Sequence, residues 1–539
     1  MKKRQRNTLF IIGLSLLGVL SLVYFFFLKE PVKYYFNQAE PALATVNEES
    51  IKHHEEKVLT ASARAFPFPK INKHPSSKNI EELAEKIESV LEHDYLFGTS
   101  TGVSVRNSEG EIIYSSNGDL RLVPASNMKL ITSVAALHVL GPEYRFSTDI
   151  RIDGEIKDGV LNGDLYLVGK GDPTVRPEDY EALAEDIKNF GITKIEGSIY
   201  ADDTWYDDVR YSQDLSWQHE KYYYGNATSA LNVAVDDDYL LGSVIVDIFP
   251  ADKVGEKPIV TITPNTNYVK VVNRARTVGA GQPFTLNDYR EHGNNTFIIE
   301  GDLPTNIPHY QRWRAVWEPT GFVLSIFSKG LEKAGVEFSQ EKVSFKRAPK
   351  NANTIVTRNS IPLKEIIVPF NRASNNGIGE VFVKEMGKVS EGEGSWEAGL
   401  KAMKQALGSL GLRTDIINLR DGSGMSSRNL VSANFFTDLL VAAEKEPWYA
   451  DFEHSLPVAG MSDPAISGTL RYRLGEESTR GNVKAKTGSL HKISTLSGYV
   501  TTKDGTKLSF SILINNFLAS QVTHLQDEIV LILAEANLK

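Results

Sequence analysis

One stretch of this chain is compatible with a lipid bilayer, and it divides the molecule before any other feature does. The run from Leu9 to Leu28 (LFIIGLSLLGVLSLVYFFFL) carries no charge over 20 residues, and a helix of that length spans about 30 Å of hydrocarbon. Lys2, Lys3, Arg4 and Arg6 precede it, so the positive-inside rule keeps the first residues in the cytoplasm and sends the rest of the chain across. A cleaved signal peptide has a shorter apolar region with a small-residue site close behind. The nearest such pattern, Ala42-Leu43-Ala44, lies well past Leu28. The expectation is a cytoplasmic tail over 1–7, a transmembrane anchor over 8–28 and a body held at the cell membrane, outside the cytoplasm.

With 539 residues, the chain exceeds what one hydrophobic core accommodates. Its 41% hydrophobic and 24% charged residues are those of a globular protein. Acidic side chains outnumber basic ones, 68 to 59, which argues against a nucleic-acid partner. The absence of cysteine removes disulfide frameworks, thiolate nucleophiles, iron–sulfur clusters and cysteine zinc sites together.

Residues 29–78 read as a polar, Pro-punctuated spacer. Its His53-His54 pair belongs to a solvated charged segment, since no HExxH ligand set occurs. Asn79 is the expected N-cap of a helix carrying Ile80, Leu83, Ile87 and Val90 at helical spacing. Short alternating runs in GTSTGVSVRNSEGEIIYSSNG (Gly98–Gly118) predict antiparallel strands, and Pro124 precedes a long apolar helical pattern ending at Gly141. From 149 to 352 the texture becomes short strands with Gly and Asp turns, plus helical pieces at Pro177–Phe190 and Phe322–Ala334. This region reads as an insertion of one or two mostly β domains. It divides an α/β domain into 79–148 and 353–539, and the second part ends in strands and an amphipathic helix.

The candidate chemistry starts at Ser126-Asn127-Met128-Lys129. Helix positions three apart share a face, so Lys129 can reach the Ser126 hydroxyl. An amine whose ammonium form is disfavoured by burial or a second cation can take that hydroxyl's proton. Ser339–Lys342 and Ser489–Lys492 match the same spacing, but only Ser126 stands in the first turn of an apolar helix, facing its dipole. Ser374-Asn375-Asn376 follows 245 residues after Lys129, in a loop after a helical segment, and Lys486-Thr487-Gly488 a further 112 residues after Ser374. Ser-x-x-Lys, Ser-x-Asn and Lys-Thr-Gly in this order form the signature set of penicillin-recognising serine enzymes.

On these motifs, together with PASNMKLIT, GKGDPT, DGSGMSSRNLVS and VKAKTGSLHKISTLSGYV, the chain resembles the D-alanyl-D-alanine carboxypeptidases of the low-molecular-mass class C penicillin-binding proteins. The resemblance runs from about Asn79 to the end. It implies a penicillin-binding/β-lactamase-like transpeptidase domain, an antiparallel sheet flanked by helices, interrupted by inserted β domains. It also implies a serine carboxypeptidase, and possible endopeptidase activity, acting on peptidoglycan stem peptides through an acyl-enzyme and covalently inhibited by β-lactams. No cofactor or metal is required.

By that resemblance Ser126 attacks, Lys129 is the base, and Lys486 depresses the Lys129 pKa while binding the substrate carboxylate with Thr487. Ser374 relays a proton to the leaving D-alanine, and Asn376 bonds the acyl amide. The Lys486-Thr487-Gly488 strand lines the substrate, and the backbone N–H groups of Ser126 and Ser489 bind the oxyanion. Arginine usually follows the DGSGLS of the family, whereas Ser427 stands there and Arg428 one place later. Asp421–Gly424 reads as a tight turn, WQHEKYYYGN (Trp217–Asn226) as packing or substrate-facing aromatic surface, and His138 as a core residue. Two other classes remain alternatives: a related β-lactamase or esterase, and a catalytically idle penicillin-sensing or wall-binding protein. Self-association is not legible.

Overall fold

The computed structural model describes residues 78–539. The expected tail, the anchor and nearly all of the spacer lie outside that range. No helix among the described residues is long and apolar enough to cross a membrane.

Helix α1 (Lys78–Leu91) buries Leu83, Ile87 and Val90, as their spacing predicts. Asn79 is not its cap. It lies within the helix, and its side-chain amide donates to the backbone oxygen of Lys539 at 3.2 Å, so a long-range partner displaces the local role. Strands β1 (Ser100–Asn107) and β2 (Ile112–Ser116) pair antiparallel. A 3-10 turn, Ala125–Asn127, then leads into α2 (Met128–Leu140). Ser126 therefore sits in the tight turn before the regular helix rather than in its first turn. Every residue of α2 from Met128 to Leu137 is buried, and the helix stops at Gly141, whose φ of 84° suits a residue without Cβ. His138 departs from expectation. It is exposed on the last turn, where Ser409 Oγ lies 3.0 Å from its Nε2.

After residue 360 come α3 (Asn376–Glu391), α4 (Trp396–Ser409) and α5 (Ala433–Ala443). Asn375, Ser395 and Ser432 cap them, each side-chain oxygen accepting a first-turn N–H. The chain ends with β3 (Lys484–Leu490), β4 (Ile493–Thr501), β5 (Lys507–Asn515) and α6 (Thr523–Glu535). The strands from both ends of the sequence make one five-stranded antiparallel sheet in the order β3-β4-β5-β1-β2. One face packs Val103, Val105, Phe510 and Ile512 against α1 and α6. The other packs Leu513 and Tyr499 against α2, α3, α4 and α5. With both faces covered, every residue of β5 after Lys507 is buried, Ser509 and Ser511 included, where a one-sided strand exposes alternate side chains.

Between Ser147 and Asn359 the chain builds separate sheets. The largest has six strands, and helices Pro177–Asn189 and Pro319–Ala334 contribute to the hydrophobic core beside it. Its first and last strands are hydrogen-bonded neighbours, Ser147 opposite Asn359.

Candidate active site

The Ser126 turn is fixed from three sides. Thr495 of β4 donates its hydroxyl to Pro124 O at 2.8 Å. Gly488 of β3 comes so close that an added Cβ would stand 2.9 Å from Pro124 O and 3.0 Å from Asn127 N. Gly424, at φ +89°, approaches from the Asp421–Gly424 turn, where a Cβ would fall 1.9 Å from Ala125 O. Ala125 itself is held at φ 46° and Ser374 at φ 57°, conformations that side-chain-bearing residues adopt only under tertiary constraint.

Lys129 is fully buried. Its Nζ donates to Ser126 Oγ at 3.1 Å, to Asn376 Oδ1 at 2.7 Å and to Ser423 O at 2.7 Å. Three acceptors match the three N–H bonds of the protonated amine. Asn376 is oriented by its own amide, which donates to Tyr224 O at 2.7 Å. Lys486, on β3, is equally buried and donates to Ser374 Oγ at 3.0 Å and Thr487 O at 2.8 Å. Thr487 Oγ1 in turn donates to Thr469 Oγ1 at 2.7 Å. Gly488 is buried beneath this edge, and Ser489 faces solvent. The fold thus gathers Ser126, Lys129 and Asn376 in one hydrogen-bonded group, and pairs Ser374 with Lys486 and Thr487 in a second.

Burial governs the electrostatics. It pushes the Lys129 amine down to about 7, against the opposing pull of the Asp421 and Glu380 carboxylates. Lys486 lies well below its ordinary value, through burial first and the Lys129 charge second. Desolvation is the larger cause for both amines, with the repulsion between the two charges acting beside it. Asp421 is raised to about 7, by burial and then by the Glu380 charge.

The Asp421–Gly424 stretch is the tight turn its composition predicts. Asp421 accepts from the backbone of Gly424 at 2.9 Å and Ser426 at 2.6 Å, and from Asn429 at 2.7 Å. Ser427 is exposed, and Arg428 Nη1 lies 3.4 Å from Asp214 Oδ1. GKGDPT does not line the cluster. Asp172 accepts from Thr174 and from Arg358, and a Cβ on Gly169 would meet Ala230 O at 2.4 Å. Within the aromatic tract Tyr222 stacks on Tyr224, while Trp217 is 67% exposed.

Glu380, the Ser423 carbonyl, the Tyr224 carbonyl and Thr469 also belong to these groups; Ser423 and Tyr224 stand in the DGSG and WQHEKYYYGN stretches, while Glu380 and Thr469 fall in no motif. A helical reading of Asn376–Glu391 would have found Glu380, which falls four residues after Asn376 and hence on the same face.

The D-Ala-D-Ala carboxypeptidase 3 (S13) family matches residues 83–536. The D-alanyl-D-alanine carboxypeptidase of Actinomadura sp. (strain R39) is 39% identical over 470 residues, 85% of this chain and 86% of that relative. D-alanyl-D-alanine carboxypeptidase DacB of Haemophilus influenzae is 25% identical over 464 residues, 85% and 93% of the two chains. Among solved structures, penicillin binding protein 4 (dacB) from Haemophilus influenzae superposes with a TM-score of 0.72 at 24% identity, covering 84% of this chain and 98% of that one. That likeness gives the sheet and its flanking helices as the penicillin-binding/β-lactamase-like α/β fold. The match over nearly the whole described body, with the 39% identical relative, shows that the chain belongs to the D-Ala-D-Ala carboxypeptidase 3 (S13) family and is a serine-type carboxypeptidase of peptidoglycan.

Proposed function

We propose that Ser126 is the residue acylated by the terminal D-Ala-D-Ala of stem peptides, with Lys129 as its general base. The supporting observation is the 3.1 Å contact between a buried Lys129 amine, lowered to about 7, and the Ser126 hydroxyl. A free amine at neutral pH accepts the hydroxyl proton as Oγ bonds to the carbonyl carbon. Backbone N–H groups of Ser126 and Ser489 receive the oxyanion. As the C–N bond breaks, the proton passes through Ser374 to the departing D-alanine amine, leaving an ester on Ser126. Water then cleaves the ester, returning the hydroxyl and releasing the shortened peptide. Lys486 and Thr487, at the Ser374 side of the cleft, bind the terminal carboxylate, and Asn376 bonds the acyl chain's amide. Gly488 lets β3 approach the Ser126 turn closely enough for these contacts.

The same chemistry makes β-lactams covalent inhibitors, since their strained amide acylates Ser126 and leaves no small product to depart. The run Leu9–Leu28 anchors this body outside the cytoplasm. Incubation of the full-length chain in detergent with labelled penicillin, followed by mass spectrometry of its peptides, tests the assignment. The adduct is expected on Ser126 and absent from Ser126→Ala; an adduct elsewhere, or none, overturns it. Rapid release of hydrolysed penicillin would instead identify a β-lactamase.

A further inference from the structure

We propose that Glu380 is a positioning residue for acylation, its carboxylate locking the Gly422–Ser423 backbone so that the Ser423 carbonyl holds the Lys129 amine against Ser126. The inference rests on the reading of Lys129 as the base. Glu380 stands one turn beyond Asn376 on α3 and is 8% exposed. Its Oε1 accepts from Ser423 N at 2.9 Å, and its Oε2 accepts from Gly422 N at 3.1 Å and from Trp396 Nε1 at 2.7 Å.

Three donors converge on one buried carboxylate, so its place is fixed and each bond is charge-assisted. Gly422 is held from its other side as well, its carbonyl accepting from Thr132 Oγ1 at 2.8 Å on α2. The peptide between these bonds ends at Ser423 O, one of the three acceptors of Lys129 Nζ. Asn376 supplies a second acceptor directly. Helix α3 thus orients two of the three bonds to the amine, one through Asn376 and one through Glu380.

The carboxylate also acts through its charge. The groups bearing on the Lys129 amine are Glu380 from α3, Asp421 from the adjoining turn and Lys486 from β3. Burial alone would carry the amine lower than it stands, and the Glu380 and Asp421 charges hold it up. A base with its pKa near the working pH combines a populated free amine with useful basicity. Reach and charge are separable. Glu380→Asp keeps the charge and withdraws it by about 1.5 Å. Glu380→Gln keeps the shape, removes the charge and turns an N–H₂ toward at least one of the three donors.

The test is the second-order rate of acylation by a fluorescent penicillin from pH 5 to 10, on the full-length chain in detergent, with thermal unfolding measured in parallel. Glu380→Gln is expected to lower the alkaline plateau at least about tenfold and to move the acid-limb midpoint down by at least about half a pH unit. Glu380→Asp is expected to lower the plateau with the midpoint unmoved. Either variant superimposing on the native profile overturns the proposal, as does a Glu380→Gln plateau loss without a midpoint shift, the mark of a merely structural role. Should Glu380→Gln fail to fold, Glu380→Asp decides alone, and a native plateau overturns. Lys129→Ala separates the underlying reading, because native-rate acylation there removes the base assignment itself. Lys129→Ala inactive beside an unaltered Glu380→Gln removes only the Glu380 role.

Discussion

Lys486 Nζ donates to Ser374 Oγ at 3.0 Å, joining an edge-strand amine to a loop hydroxyl 112 residues away. Ser374 is held there at φ 57°, so amine and hydroxyl form one bridged unit on the leaving-group side of the cleft. Substituting Lys486 by Ala should therefore reduce turnover of peptides with a free terminal carboxylate far more than turnover of neutral ester analogues. The margin should be tenfold or more, the scale of one charge-assisted bond of about 1.5–3 kcal/mol. Parallel kcat/KM measurements on the two substrate types check this; equal losses remove the carboxylate role.

Acylation should gain rate as pH rises through about 7, where Lys129 gives up its proton. The sign follows from the base role: below that point the amine is protonated and cannot accept the Ser126 proton. A penicillin-labelling profile that is flat from pH 5 to 9 contradicts it.

Lys486→Met should weaken turnover of carboxylate-bearing peptides without lowering stability. Burial depresses the folded-state pKa of Lys486 below its ordinary value of 10.5. Between those two values the unfolded chain binds more protons than the native one, so native stability climbs with pH there and is lowest below. Methionine removes that penalty while giving up the bonds to Ser374 Oγ and Thr487 O. The expected balance is a variant about 0–2 kcal/mol more stable at pH 7, with the difference fading toward pH 10.5. Urea unfolding at several pH values measures it, and a large loss of stability at pH 7 refutes it.

Gly424→Ala should damage the site, because φ is +89° and the new Cβ would fall 1.9 Å from Ala125 O, forcing the Ser126 turn to move. A loss of about 2–4 kcal/mol in stability and at least tenfold in acylation is expected. Gly411→Ala, at φ +82° with no atom within 4 Å of a Cβ, is the control. It should cost about 1 kcal/mol and leave acylation intact. Equal acylation in the two variants refutes the steric account.

Elements whose burial follows a simple period were legible: α1 by its Leu83–Ile87–Val90 stripe, and α2 by its apolar length and terminal Gly141. Helix α3 was not. Gly377, Gly379 and Gly387 lower its propensity, and its buried face carries Glu380, Lys384 and Glu385, which the binary pattern assigns to solvent. Each of the three is satisfied from afar. Lys384 pairs with Asp207 and packs over Trp396 at 4.0 Å, and Glu385 accepts from Trp205 at 3.0 Å and Tyr206 at 2.6 Å. The glycines permit close packing, since a Cβ on Gly387 would lie 2.6 Å from Gly399 N. The motif side chains could be named from spacing and resemblance, but the carbonyls of Ser423 and Tyr224 could not, because a backbone acceptor has no residue signature. His138 misled for a related reason: periodicity marks a buried helix and is silent about where its last turn emerges.

The antiparallel pairing of Ser147 with Asn359 makes the long excursion between them a cartridge with adjoining ends. Its departure and return points lie about 5 Å apart. Cartridge and housing are tied by Ala234 and Leu241 in the main core and by polar contacts that include Tyr224 to Asn376, Asp207 to Lys384 and Asp214 to Arg420. The Tyr224 carbonyl grips an amide that also touches Lys129, and the carbonyls of Asp238 and Tyr239 grip Asn375 beside it, so an exchange of cartridges reaches the chemistry through the Ser374–Asn376 loop.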